Sequence, residues 1–172
     1  MRDKNSLESM LDYVIVNVMG DYILDVGTGF GTVVKRLLRD GKKIITLDPE
    51  GWTFPELEED FKNEIKNGSL QLEKKGIEDY SHDGKKFDTS ICIAALHHVK
   101  DPVAGLKRME DLTSCAVIIT DWNHKSAGKH NPHPEHELRN KMTSLIEYGE
   151  KNGYEISHHE YWYSMIKQMQ QS

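Results

Sequence analysis

The stretch that most constrains the fold is Leu24 to Gly31, a short apolar segment that runs into three glycines at alternate positions. Gly27, Gly29 and Gly31 are followed by a helix-like run over residues 32–39. This order predicts a strand, a tight turn and a helix. Glycine suits the turn because it accepts positive φ and lets the backbone approach a ligand. Free N–H groups at the start of the helix favour an electronegative, nucleotide-like ligand.

The glycine spacing leaves two classes of nucleotide ligand open. Dinucleotide enzymes carry a related G-x-G-x-x-G, whereas this chain reads G-x-G-x-G, with Thr32 where that fingerprint has its last glycine. Asp25 lies two residues before Gly27, and Asp48 ends a second apolar run over residues 43–47. A carboxylate at the carboxyl end of a strand can bridge the two hydroxyls of a ribose.

With these residues in place, the chain resembles the class I S-adenosylmethionine-dependent methyltransferases. The run from Phe87 to Pro102, which contains Leu96-His97-His98-Val99, looks like the fourth-strand motif of a subgroup that includes quinone-biosynthesis and other small-molecule methyltransferases. The resemblance covers roughly the first 120 positions. It implies an α/β fold with a Rossmann-like, seven-stranded sheet of order 3-2-1-4-5-7-6, the last strand antiparallel, and helices on both faces.

The resemblance also implies S-adenosylmethionine as the cofactor and S-adenosylhomocysteine as its product. The glycine turn would present backbone to the methionine end, Asp25 would attract the ammonium group and Asp48 would hold the ribose. Relatives place an acid and a small residue near position 77, so adenine would meet the backbone of Ile77, with a side-chain contact from Glu78, from Asp79 or from neither. The predicted cofactor residues are Asp25, Gly27, Thr28, Gly29, Gly31, Asp48, Pro49, Ile77, Glu78, Ala94 and Leu96.

The acceptor would enter over the carboxyl ends of the fourth and fifth strands, near Leu96, His97, Trp122 and His124. An imidazole there suits proton removal near neutral pH, so His97 and His124 are the predicted catalytic residues. The alternative is that His97 and His98 bond neighbouring loops and shape the pocket. Trp52 either stacks on adenine or plugs a core edge.

Histidines are dense around residues 124–136, which raises the question of a metal site. His124, His130, His133 and His136 are ligand types for zinc, copper or nickel. They come without a cysteine or a tightly spaced histidine pair on a helix, and two prolines interrupt the segment. We therefore predict solvated histidines and no metal.

One domain is predicted over residues 1–172, divided into a lid helix at 1–20, a cofactor-binding half at 21–121, and a helix with a strand pair at 122–172. Ser6 would cap the first helix. The resemblance implies that a leading helix of this kind closes over the cofactor, so Tyr13 could reach the site. The remaining predicted helices cover residues 32–39, 55–66, 102–112 and 134–151, and the remaining strands cover 43–47, 70–74, 87–93, 115–121, 154–161 and 163–169.

Charge and composition shape the prediction of partners and location. A net charge of −6 argues against a nucleic-acid partner, although a local RNA groove stays open. The Asn/Asp-Pro-Pro-Tyr motif of planar-nitrogen methylases is missing, since the fourth strand ends in Ala94-Ala95-Leu96-His97. A small organic acceptor is the expectation, together with no membrane partner and a cytoplasmic location. The oligomeric state is left unpredicted. A cofactor-binding module without turnover and a nicotinamide oxidoreductase are the alternative functions.

Overall fold

The computed structural model describes residues 4–170, and within them seven strands form one sheet of order β3-β2-β1-β4-β5-β7-β6. Strands β1 to β5 are parallel, and β7 pairs antiparallel with both β5 and β6. The predicted fold is therefore confirmed. The strands are β1 Tyr22–Val26, β2 Lys43–Leu47, β3 Leu70–Glu73, β4 Phe87–Ile93, β5 Thr113–Trp122, β6 Glu155–His158 and β7 Trp162–Gln168.

Six α-helices of the described residues pack around this sheet: α1 Lys4–Asn17, α2 Thr32–Arg39, α3 Phe54–Asp60, α4 Lys62–Lys66, α5 Pro102–Asp111 and α6 Glu135–Lys151. The single helix predicted over 55–66 is two helices, because Phe61 leaves the helical region with φ −124° and ψ 38°. The first helix begins before Ser6, so the predicted cap at that residue is wrong. Trp162 begins β7 instead of lying in the turn before it.

The core lies on both faces of the sheet, as the alternation within β1 requires. Ile23 packs with α1 and α2 residues such as Val14 and Val34, whereas Leu24 packs on the opposite face with α5 residues such as Leu106. All five side chains are fully buried. Burial of one such side chain contributes about 1.5–3 kcal/mol, so the two apolar layers hold the carboxyl ends of β1 and β4 in fixed positions.

Helix α1 packs on the sheet, where Met10 and Val14 are fully buried. Met10 also contacts Trp122 and Trp162 in a separate apolar cluster, and the Tyr13 ring meets Trp162 edge-on. The predicted division of the chain, with residues 1–20 as a lid, stays a prediction. The buried side chains show that α1 contributes to the core.

Candidate functional site

The glycine turn closes between β1 and α2 with positive φ at Gly27, Gly29 and Gly31. The backbone N–H of Gly27 donates to the carbonyl of Leu47 at 2.8 Å, which ties the turn to the end of β2. A Cβ on Gly27 would overlap the Cβ of Ala95, whereas one on Gly29 would meet no described atom within 4 Å. The turn is therefore pressed against the end of β4 at Gly27 and open at Gly29.

Asp25 lies fully buried beneath the turn. Its Oδ2 accepts from the Thr46 hydroxyl at 2.7 Å, and Thr46 Oγ1 lies 2.6 Å from Thr28 Oγ1. Its Oδ1 is buried without a hydrogen-bond partner. Burial raises the pKa of Asp25 to about 7, against the lowering effect of the Thr46 bond and with a smaller raising effect from Asp48. A buried carboxylate oxygen without a partner suits an ammonium group, because the ammonium would supply both a hydrogen bond and a compensating positive charge.

Asp48 lies on the other side of the turn, directly after β2. Its Oδ1 accepts from the backbone N–H groups of Glu50 at 2.9 Å and Gly51 at 3.0 Å, and its Oδ2 accepts from Gly29 at 3.3 Å. A carboxylate offers about four lone-pair sites, so this one is oriented by backbone and retains capacity for ribose hydroxyls. Pro49 is exposed beside it. Together, Asp25 and Asp48 flank the same turn.

Two exposed aromatic residues stand at the rim of the turn. Phe30 and Trp52 are each 54% exposed, and their rings meet edge-on with centroids 5.1 Å apart. Trp52 therefore does not plug a core edge, which leaves stacking as the interpretation that its exposure favours. Phe30 and Thr46 are absent from the predicted set. The sequence signal that could have indicated Thr46 is its position as a polar residue within the apolar run 43–47. The structure pairs Thr46 in register with Asp25.

At the end of β4, the candidate site is formed by backbone groups more than by side chains. Ala94 has φ 52°, the one positive value among the described residues other than glycine. Leu96 and Ile77 are predicted cofactor residues, but both side chains are buried in the core beneath α5. Only their backbone groups could face a ligand. The Glu78 carboxylate folds back against Gly76, where an added Cβ would lie 2.6 Å from its Oε2.

His97 is held between two side chains. Its Nδ1 lies 2.6 Å from Asp121 Oδ1, its backbone N–H donates to Asp121 Oδ2 at 2.9 Å, and its Nε2 lies 3.2 Å from Asn131 Nδ2. Burial lowers the pKa of His97, but the charge and hydrogen bond of Asp121 outweigh it and the net shift is upward. With 5% of its side chain exposed, His97 matches the pocket-shaping alternative. Its catalytic role stays a prediction.

His124 lies in a different setting, in a short helical turn after β5. Burial, followed by the charge of Arg139, lowers the pKa of His124. Its Nδ1 is buried without a partner. The ring lines a hollow of about 470 Å³, whose other charged or aromatic lining residues are Lys125, Lys129, Glu135, Glu160 and Tyr161. The structure thus places the two predicted catalytic histidines among different partners.

The sequence of the chain matches known methyltransferases. A family model described as a methyltransferase domain matches residues 23–114. The tRNA U34 carboxymethyltransferase of Helicobacter hepaticus is 36% identical over 114 residues, which are 61% of this chain and 36% of that protein. The protein of the same name from Campylobacter fetus is 29% identical over 96 residues, which are 55% of this chain and 33% of that protein. The chain spans about a third of the length of these curated relatives.

Solved structures share the fold at low sequence identity. A SAM-dependent methyltransferase from Aquifex aeolicus superposes with a TM-score of 0.66 at 14% identity and covers 99% of this chain and 100% of its own. Magnesium protoporphyrin IX methyltransferase from Synechocystis, solved with bound SAM, gives a TM-score of 0.62 at 18% identity over 96% of this chain and 79% of its own. These likenesses support the sheet order described above.

Proposed function

Because the chain belongs to the family of class I S-adenosylmethionine-dependent methyltransferase domains, we propose that it transfers the sulfonium methyl group of S-adenosylmethionine to a transfer RNA. The observation that carries the cofactor assignment is the glycine turn flanked by Asp25 and Asp48, with a buried Asp25 oxygen that lacks a partner. The RNA acceptor is proposed from the names of the matched relatives. The family and its cofactor agree with the prediction from sequence. The proposed RNA acceptor differs from the small organic molecule that the sequence predicted.

The prediction against a nucleic-acid partner is wrong. The relatives that match this chain are named tRNA U34 carboxymethyltransferase. The prediction failed for two physical reasons. A net charge of −6 averages the whole surface, whereas RNA recognition needs only a local basic and aromatic region. The missing Asn/Asp-Pro-Pro-Tyr motif concerns acceptors with a planar nitrogen and leaves other atoms of a base or ribose open.

The hollow beside β5 is lined by two lysines and the Tyr161 ring, which suit the phosphate and the base of a single-stranded nucleotide. His130 and Trp122 pack next to that ring. Lys129 Nζ lies 5.2 Å from the centre of the Tyr161 ring, and His130 meets the same ring edge-on at 4.5 Å. His130 also stacks on Trp122 with centroids 5.8 Å apart. Flipped bases are held by aromatic stacking and by cations near the backbone. Glu135 and Glu160 at the rim would restrict phosphate contacts to the lysine side.

The proposed reaction needs little chemistry from the protein. A sulfonium methyl is electrophilic and its departing thioether is neutral, so the chain has to hold an acceptor atom in line with the methyl and exclude water. Asp25 would orient the ammonium group, Asp48 the ribose, and the turn at Gly29 the backbone of the methionine portion. His97 and His124 are proposed to act at the acceptor side.

Cofactor binding is tested by calorimetry with S-adenosylhomocysteine. We expect Asp48→Ala to weaken the affinity at least tenfold, or about 1.4 kcal/mol. Asp83→Ala is the matched control, because Asp83 is an exposed acid in the loop before β4, at the opposite end of the sheet. A change below twofold in Asp48→Ala would remove the ribose assignment. Binding of NAD in place of S-adenosylhomocysteine would favour the nicotinamide alternative.

Methyl transfer is tested with methyl-labelled S-adenosylmethionine and pools of unmodified tRNA. The expected result is label in the RNA, lost in Asp25→Ala, with mass spectrometry of the nucleosides identifying the modified position. Tight S-adenosylhomocysteine binding without label in any RNA would instead favour the cofactor-binding module without turnover. A nucleoside that gains the mass of a carboxymethyl group from a carboxylated donor would assign the transfer named for the relatives.

The location of the protein stays a prediction. Among the described residues, none of the helices combines the length and apolar character that crossing a bilayer requires. The cytoplasmic assignment made from the sequence is compatible with transfer to tRNA, and cell fractionation would check it.

A further inference from the structure

Three imidazoles converge where β4 ends. His97 and His98 belong to the short helical turn after β4, and His133 lies in the loop before α6. One ring nitrogen of each lies within 4.8 Å of a ring nitrogen of both others. His133 Nε2 lies 3.2 Å from His98 Nδ1. That spacing is close to the ~3.3 Å edge between two ligands of a tetrahedral zinc ion with Zn–N bonds of about 2.0–2.1 Å.

Carboxylates orient two of the three rings. Asp121 Oδ1 accepts from Nδ1 of His97, and Glu137 Oε2 lies 3.5 Å from Nδ1 of His133. Histidines that bind metals commonly donate their second ring N–H to a carboxylate, which fixes the tautomer and raises the basicity of the other nitrogen. In His97 and His133, that other nitrogen is Nε2.

Asn131 indicates that Nε2 of His97 carries a lone pair. The Asn131 Oδ1 accepts from the backbone N–H of His133 at 2.9 Å, which turns its Nδ2 toward His97 Nε2 at 3.2 Å. An amide N–H group can only donate. The imidazole nitrogen must therefore accept, and it carries no proton in this arrangement. A metal ion would take this lone pair, and the Asn131 amide would give way by rotation.

We propose that His97, His98 and His133 bind one divalent transition-metal ion of the zinc type, with a fourth coordination position open to solvent or acceptor. The His97 side chain is buried, His133 is half-buried and His98 is exposed, so the site opens on the His98 side. Neutral imidazoles suit zinc, copper and nickel. Three histidines with an open position are typical of catalytic zinc, which lowers the pKa of a bound water or hydroxyl.

Sequence spacing could not show this grouping, since His133 is distant in sequence from His97 and His98. The fold brings His133 to His97 and His98. The site lies at the same edge of the sheet as the glycine turn, because Ala95 abuts Gly27. The proposal stands on these contacts and does not rest on transfer to RNA.

The test uses the whole chain without a polyhistidine tag, stripped with a chelator and titrated with Zn²⁺ by calorimetry. We expect one equivalent to bind, and at least tenfold weaker binding in both His98→Ala and His133→Ala. His136→Ala is the control, because His136 is an exposed histidine on α6 outside the cluster. Co²⁺ supplies a second readout, since its visible absorption should show tetrahedral nitrogen ligation in the wild type.

Two results would overturn the metal site. One is wild-type protein that takes up no stoichiometric Zn²⁺ although its circular dichroism shows a folded chain. The other is equal affinity in the wild type, His98→Ala and His133→Ala, which would place any bound ion elsewhere. Glu137→Gln tests the orienting carboxylate, and we expect it to weaken Zn²⁺ binding by less than removal of His133.

Discussion

Asp121 holds His97 at two points, with one carboxylate oxygen 2.6 Å from the ring Nδ1 and the other 2.9 Å from the backbone nitrogen. The same Oδ1 accepts the backbone N–H of Trp122 at 2.8 Å. A fully buried carboxylate at the end of β5 thus fixes both the ring and the backbone that follow β4. This link joins the ends of two neighbouring strands where the acceptor is proposed to enter.

Replacement of Asp121 tests this link. In Asp121→Asn the side chain keeps one acceptor oxygen for three N–H groups, so we expect a loss of about 1–3 kcal/mol in unfolding free energy. The pKa of His97 should fall from above its ordinary value of 6.5 to below it, because burial would act without the opposing charge. Urea unfolding and NMR titration of the imidazole measure the two effects. An unchanged His97 pKa would contradict the assigned role, and Asp83→Asn serves as the control.

Buried Asp25 predicts a pH dependence of stability without ligand. Its pKa is about 7 in the folded chain against 3.8 when exposed, so the folded state binds more protons between these values. Its unfavourable contribution is therefore absent below pH 3.8, grows as the pH rises and is complete above pH 7. At 1.36 kcal/mol per pKa unit it reaches on the order of 4 kcal/mol. In urea unfolding between pH 5 and 8, the unfolding free energy of Asp25→Asn should lack this dependence on pH. Equal slopes in the wild type and in Asp25→Asn would contradict the assignment to Asp25.

Gly27 should tolerate no side chain. In Gly27→Ala, overlap with Ala95 adds to the strain of φ 90°, and we expect a loss above about 2 kcal/mol. Gly41→Ala is the matched control, since Gly41 has φ 78° but no described atom within 4 Å of an added Cβ. Its loss should be about 1–2 kcal/mol, the cost of the left-handed conformation alone. The double variant with Ala95→Gly should recover the difference. Equal losses at both glycines in urea unfolding would mean that the contact with β4 is unimportant.

The exposed ring of Trp52 predicts an aromatic contribution to cofactor affinity. Stacking of a base on an aromatic side chain is worth about 1–3 kcal/mol, so Trp52→Ala should weaken S-adenosylhomocysteine binding by roughly tenfold. Val16→Ala, at a side chain that is 78% exposed on α1, is the control in the same calorimetric titration. Full cofactor affinity in Trp52→Ala would contradict the stacking assignment. If that variant also binds RNA more weakly, Trp52 would instead contact the acceptor.

Apolar runs, alternate glycines and acids at strand ends are local signals, and they were sufficient to predict the parallel strands and the glycine turn. The order of the strands in the sheet came from the resemblance to class I methyltransferases. The sequence could not predict the break at Phe61, which depends on one backbone conformation within a continuous helical pattern. The sequence also did not predict that Asp121 and Asn131 hold His97. These contacts join His97 to residues that follow it by 24 and by 34 positions. Leu96 and Ile77 were assigned from motif position alone, and the structure buries both side chains.

The packing of Met10 and Tyr13 against Trp162 bears on how the chain is made. During synthesis, α1 is made before β7, yet the surface that covers it is completed only when β7 pairs with β5. Until then, Met10 lacks its contact with Trp162. The nascent protein should therefore become resistant to protease late and in one step, after translation has passed the final strand, and arrested chains that end before β7 should remain cleavable within α1.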